Sequence, residues 1–190
     1  MSPAATRTQL TPGGAALIGL TGRYLAGMMD MTITLLEVHK LLYFLQRAGE
    51  PLGLPYAKAP HGPSAENLRH VLTEVNGLLV SDVVAGDDPN TELRLMPGAL
   101  EQAEAFLAGE ADTNARFQRV AELVSGFESP FGLELLATVD WVMAEKRATT
   151  PEAICESVYA WDARKRQFTP EQIELAAARL RNARLASAQS

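Results

Sequence analysis

The sequence predicts a mainly α, α+β fold: a multi-helix, bundle-like domain with one β-hairpin. Apolar residues recur at helical spacing through most of the second half. Three of those segments open on a cap residue followed by proline, at Ser129-Pro130, Thr150-Pro151 and Thr169-Pro170, the arrangement in which proline fits a first helical turn. LLVSDVV and TELRLMP carry β-type patterning, and the AGDDPN between them has turn chemistry. A chain of 190 residues, 47% hydrophobic and 21% charged, can bury a substantial core. The expected organisation is a flexible tail over 1–12, a single helical domain over 13–186 and a short tail over 187–190.

Each element has its own reason. GGAALIGLTGRYLAGMM, residues 13–29, reads as a helix weakened by Gly14, Gly19, Gly22 and Gly27, each costing about 1 kcal/mol relative to Ala. Close packing against other helices has to hold it. TLLEVHKLLYFLQRAG offers a capping box in Thr34 and Glu37, apolar positions on most faces and Gly49 as its stop, the pattern of a buried central helix. PLGLPYAKAP contains Pro51, Pro55 and Pro60, so it is extended or an edge strand at best, because proline donates nothing to a ladder. In KAPHGPSAENLRH, Pro63 suits a helix start with Gly62 or Ser64 as cap. Leu68, Val71, Leu72 and Val75 follow at helical spacing, predicting a helix over 63–76. After the hairpin come helices over 98–108, 114–125, 130–145, 151–162 and 170–186.

The formal charge of −6 is unevenly spread. From Glu74 to Asp112 nine carboxylates face the single base Arg94, whereas from Arg164 to Arg184 six bases face Glu171 and Glu174. The acidic stretch repels phosphates and attracts basic surfaces, which disfavours a nucleic-acid ligand and favours a basic protein partner; a solvated face kept for solubility is the plainer alternative. One cysteine, Cys155, excludes an internal disulfide and suits a reducing, cytoplasmic setting. The histidines at 39, 61 and 70 have no metal-ligand spacing, and no apolar run approaches the length of a membrane span. No metal and no cofactor are expected.

A search for catalytic sets ends without one. Ser64 with His61 or His70 lacks the strand-to-helix elbow that exposes a serine nucleophile, and capping explains the serine better. Glu66 and His70 read as an i, i+4 pair on a solvated helix face. GGAALIGLTG lacks the spacing of a phosphate loop, and Asp87-Asp88 falls in a turn. Trp141 and Trp161 are core residues or interface anchors, and Arg164-Lys165-Arg166 offsets a helix macrodipole.

Taken together, LTPGGAALIGLTGRYL, LLEVHKLLYFLQRAGEPL, KAPHGPSAENLRHVL, FESPFGLELLATVDWV and WDARKRQFTPEQI resemble the C-terminal domain of DarG-type antitoxins over nearly the whole chain. The KLLYFLQ helix with its later Gly-Pro turn is more distantly similar to SocA-like, or Panacea, antitoxin domains. That resemblance implies a non-enzymatic domain that neutralises a DarT-type ADP-ribosyltransferase toxin by direct contact, mimicking single-stranded DNA with its carboxylates. It further implies no catalytic residues, because the family's hydrolytic macrodomain is not matched, and no direct contact with nucleic acid, membrane or small-molecule substrate. The expected toxin-binding residues are Asp82, Asp87, Asp88 and Glu92 from the acidic segment and Lys58, His61, Asn67, Arg69 and His70 around the Gly-Pro turn. A winged-helix-like nucleic-acid-binding regulator is the alternative, opposed by the acidic balance.

Overall fold

The computed structural model describes residues 10–66, 68–81 and 88–188. Helix α1 (Pro12–Met28) leads through β1 (Ile33–Thr34) into α2 (Leu35–Arg47). Strands β2 (Tyr56–Ala59) and β3 (Gly62–Ala65) follow, then the short α3 (Arg69–Glu74), β4 (Leu79–Val80) and β5 (Glu92–Leu95). The rest is helical: α4 (Ala99–Leu107), α5 (Ala111–Val124), α6 (Pro130–Glu145), α7 (Pro151–Tyr159), a 3-10 turn over Ala163–Gln167, and α8 (Pro170–Ala188). The mainly α class with small antiparallel sheets is therefore the observed one. No described helix is long and apolar enough to cross a membrane.

The helix starts form as their residues dictate. The hydroxyls of Thr11, Ser129 and Thr150 each accept from the backbone N–H three residues on, with proline in the first turn. Thr34 and Glu37 close a reciprocal capping box at α2, and Thr169 and Gln172 do the same at α8. The glycines of α1 admit close neighbours, as expected: a Cβ at Gly22 would lie 2.2 Å from the Leu100 side chain of α4. Helices α1, α2 and α6 carry the centre of the core, with Leu17, Ile18, Leu41, Leu42, Leu133, Leu136 and Val139 fully enclosed.

The predicted hairpin is present as β4 and β5, in antiparallel register Leu79↔Leu95, and β1 joins the other edge of β5. A second hairpin was not anticipated. Gly62-Pro63-Ser64 is no helix start: it is strand β3, paired with β2 in the register Lys58↔Pro63 and Ala57↔Ser64. Gly62 has a φ of +92°, and a Cβ there would come within 3.0 Å of the Thr138 hydroxyl on α6. Only glycine suits that conformation and that contact. The two-stranded sheet consists of edges, so Pro63 is tolerated in it. Helix α3 begins only at Arg69, leaving Glu66 outside it, so the expected Glu66–His70 pair is not on one helical face.

Candidate functional site

Helix α6, PFGLELLATVDWVMAE, is apolar nearly all round, yet it buries two carboxylates, Glu134 and Asp140. A charge in such a setting needs partners, and the two find different ones. Glu134 Oε1 accepts from Lys165 Nζ at 2.7 Å and from Gln167 Nε2 at 3.3 Å. Its other oxygen lies 3.5 Å from His61 Nδ1. Lys165 is fully buried and also donates to the Pro60 carbonyl at 2.8 Å. Lys40 of α2, equally enclosed, donates to the Pro63 carbonyl at 2.6 Å. Two buried ammonium groups thus strap the tip of the β2–β3 hairpin onto α2 and α6. Burial pulls the Lys40 pKa down to about 7, with Lys165 adding repulsion and Glu134 opposing the shift. Burial lowers that of Lys165 too, against the bond and charge of Glu134. The basic triplet therefore does more than offset a helix dipole: its central member points inward from the 3-10 turn.

Asp140 sits at the edge of a cavity of about 690 Å³ between α2, α5, α6 and α8. Its Oδ2 accepts from Arg47 Nε and from Tyr43 Oη, each at 2.8 Å, and its Oδ1 from Arg184 Nη2 at 2.9 Å. Burial and then the Asp140 charge raise the pKa of the Tyr43 hydroxyl, which stays a donor. Arg47 and Arg184 keep 42% and 46% of their side chains exposed, so one face of the ion pair opens to the cavity. Arg119 and Arg179 complete a lining of four arginines against the two carboxylates Glu122 and Asp140. Both also serve the scaffold. Arg179 Nη1 donates to the carbonyls of Glu122, Leu123 and Ser125 at the end of α5, and Arg119 donates to Ala48 after α2. Phe44 and Leu180 supply apolar wall. The cavity can receive an anion with an apolar body.

The residues singled out from sequence are dispersed. Lys58 is exposed on β2, with its ammonium 4.9 Å from the centre of the Trp161 ring. His61 lies in the hairpin turn, 3.2 Å from an Arg164 guanidinium nitrogen. Arg69 opens α3 and His70 is exposed on it. Asp88 accepts from the Asn90 backbone N–H and side-chain amide, a local turn, and Glu92 is exposed on β5. Asn67, Asp82 and Asp87 lie outside the described residues. Ser64 Oγ neighbours His39 Nδ1 at 3.3 Å, not His61 or His70. No group of three or more His, Cys, Asp or Glu among the described residues could hold a metal ion. Sequence reasoning passed over Glu134, Asp140, Lys40 and Arg47. The available signal was the presence of charges inside helices whose other positions are apolar on most faces.

No family model matches the chain. It is 39% identical over 175 residues to a protein of Thermus aquaticus named DNA ADP-ribosyl glycohydrolase, covering 92% of this chain and 48% of that protein. Proteins of Mycobacterium bovis and Mycobacterium tuberculosis with the same name are each 29% identical over 186 residues, covering 90% of this chain and 53% of theirs. The chain spans about half the length of these relatives. Their name is that of an enzyme, and it includes DNA. This finding overturns the expectations drawn from the resemblance: a non-enzymatic antitoxin domain, a toxin as its partner, and no nucleic-acid or small-molecule substrate. The regulator alternative gains no support from it either. The charge reasoning behind those expectations summed carboxylates along the sequence. In the fold, Arg47, Arg119, Arg179 and Arg184 come from three separate helices to one cavity, and a local sum along the chain does not register that.

Proposed function

We propose that this chain takes part in the removal of ADP-ribose from DNA, and that the arginine-lined cavity receives the anionic part of the substrate. The observation that carries the reading is the similarity over 92% of the chain to a protein named for that activity. The cavity supports it in chemistry. Guanidinium groups present planar pairs of N–H donors that match phosphate oxygens, and an ADP-ribosyl group on DNA is rich in phosphate. Asp140 has both oxygens engaged by Arg47, Tyr43 and Arg184. Its part is to fix those guanidinium groups, and through them the substrate, with little ordering left to do on binding.

The test is incubation of the chain with an ADP-ribosylated DNA oligonucleotide, with chromatographic detection of free ADP-ribose. Release is expected, with KM raised about tenfold by Arg47→Met together with Arg184→Met, as loss of charge-assisted hydrogen bonds implies. No release above the protein-free control would overturn the reading.

A further inference from the structure

A second cavity, of about 1000 Å³, opens between the start of α2, the tip of the β2–β3 hairpin, α3 and strands β4 and β5. Leu35, Leu36, Leu68, Leu72, Leu79 and Leu93 give it an apolar wall, and none of its described lining residues is Lys or Arg. Ser64 and His39 line it together, both half-buried, with Ser64 Oγ 3.3 Å from His39 Nδ1. Capping does not explain this serine, because it lies in β3. The hairpin is also fastened to α2 without it. Lys40 holds the Pro63 carbonyl, and Tyr56 Oη donates to the His39 carbonyl at 2.8 Å. Those bonds and the Ala57↔Ser64 pairing fix both backbones, so hydroxyl and imidazole meet on rigid elements.

We propose that Ser64 and His39 are a nucleophile and its base, and that this cavity hydrolyses uncharged esters with an apolar acyl group. A hydroxyl within hydrogen-bond reach of an imidazole is the arrangement that activates serine, and such contacts are looser before substrate binds. With its proton on Nε2, His39 offers the Nδ1 lone pair to the hydroxyl. Ser64 Oγ bonds to the ester carbonyl carbon as Nδ1 takes the hydroxyl proton, and the carbonyl π pair moves to its oxygen. Collapse of that oxyanion breaks the bond to the alkoxide, which takes the proton from Nδ1 and leaves as an alcohol. Water then attacks the acyl-serine by the same route, giving a proton to Nδ1, and Ser64 Oγ leaves with that proton as the hydroxyl. Ester and water become acid and alcohol, with no other reactant consumed. The leucines suit the acyl chain, and an anionic product meets no Lys or Arg that would retain it. This activity goes beyond the reading above and shares no lining residue with the arginine cavity.

The probe is p-nitrophenyl butyrate, mixed with the whole chain. Release of p-nitrophenolate above the protein-free control is expected, and the acid-quenched protein should carry a butyryl group on the peptide that contains Ser64. Ser64→Ala, with a circular dichroism spectrum like the parent's, should lower release at least about tenfold, and His39→Gln should slow acylation of Ser64 by about a hundredfold. Ser64→Cys keeps a nucleophile beside the imidazole and should still be acylated. The adduct on the parent chain reads the proposal without any variant. No release above the control, undiminished release in Ser64→Ala, or butyryl groups on lysines or histidines but not on Ser64 would each overturn it.

Discussion

Glu134 and Asp140 stand on one helix, both almost wholly buried, and they belong to different kinds of site. Glu134 is answered by Lys165, with no exposed side-chain surface, and by the half-exposed His61 at 3.5 Å. Asp140 is answered by two arginines that remain open to solvent. The first arrangement spends its charges on holding a hairpin, because an ammonium bonded to a carboxylate and a carbonyl, with no exposed surface, has no face from which to meet a ligand. The second keeps guanidinium N–H groups free of that carboxylate. Burial of a carboxylate is thus no guide to its role; the exposure of its partners is.

The largest expected effect breaks the first site. Glu134→Ala would leave Lys40 and Lys165 buried beside each other without a carboxylate, and losing one member of a buried pair costs about 3–5 kcal/mol. Asp140→Ala should cost less, about 1–3 kcal/mol, since Arg47 and Arg184 can return to water and only the Tyr43 hydroxyl is stranded. Urea unfolding of both variants measures the contrast. Equal losses would mean that partner exposure does not separate the two sites.

A pH series sharpens the same contrast. Burial holds the Lys40 pKa near 7, far below that of a lysine in an unfolded chain. Between about pH 7 and pH 10 the unfolded state therefore binds more protons, and stability rises with pH, at most by about 1.4 kcal/mol per unit. Lys165 acts in the same direction. The buried tyrosines Tyr24 and Tyr43, whose pKa values are raised, oppose this only above about pH 10. Lys40→Met should flatten the rise over pH 7–10 in urea midpoints. Asp140→Ala should leave the rise in place, because arginine does not titrate in that window and burial, the larger cause, still holds its third partner Tyr43 above it.

Next in size is a cap at the start of α7, whose hydroxyl bonds its own helix and neither carboxylate. Thr150→Ala removes the hydroxyl that accepts from the Ala153 N–H at 3.2 Å and should cost about 1 kcal/mol. Combined with Asp140→Ala, the losses should add within about 0.5 kcal/mol. A larger deviation would show that Asp140 reaches further into the scaffold than its hydrogen bonds do.

What the sequence disclosed follows physical range. Thr34, Ser129, Thr150 and Thr169 act on backbone within three residues, so every one of these starts was legible, and the helices after Gly98 fall close to their expected bounds. The β2–β3 hairpin was missed because Pro63 serves equally well in a first helical turn and in an edge strand, and local chemistry does not choose between them. The choice comes from Thr138 beneath Gly62 and from Lys40 on the Pro63 carbonyl. The ion pairs were out of reach for the same reason: Asp140 and Arg47 are separated by 93 positions, Glu134 and Lys165 by 31.

The smallest effect is expected at His61, the residue of the Gly-Pro turn that first suggested chemistry. His61 Nδ1 is 3.5 Å from Glu134 and 3.2 Å from an Arg164 nitrogen. One ring nitrogen does not donate to the carboxylate and accept from the guanidinium at once, so the two contacts compete and neither is strong. Lys165 and Gln167 already satisfy Glu134 Oε1. With 37% of the imidazole side chain exposed, His61→Ala should change stability by about 0–1 kcal/mol, against several for Glu134→Ala. Thermal unfolding at pH 7 compares them. A loss as large as that of Glu134→Ala would make the imidazole a full third partner of the buried carboxylate, and the strap on the hairpin would then rest in part on a half-exposed side chain.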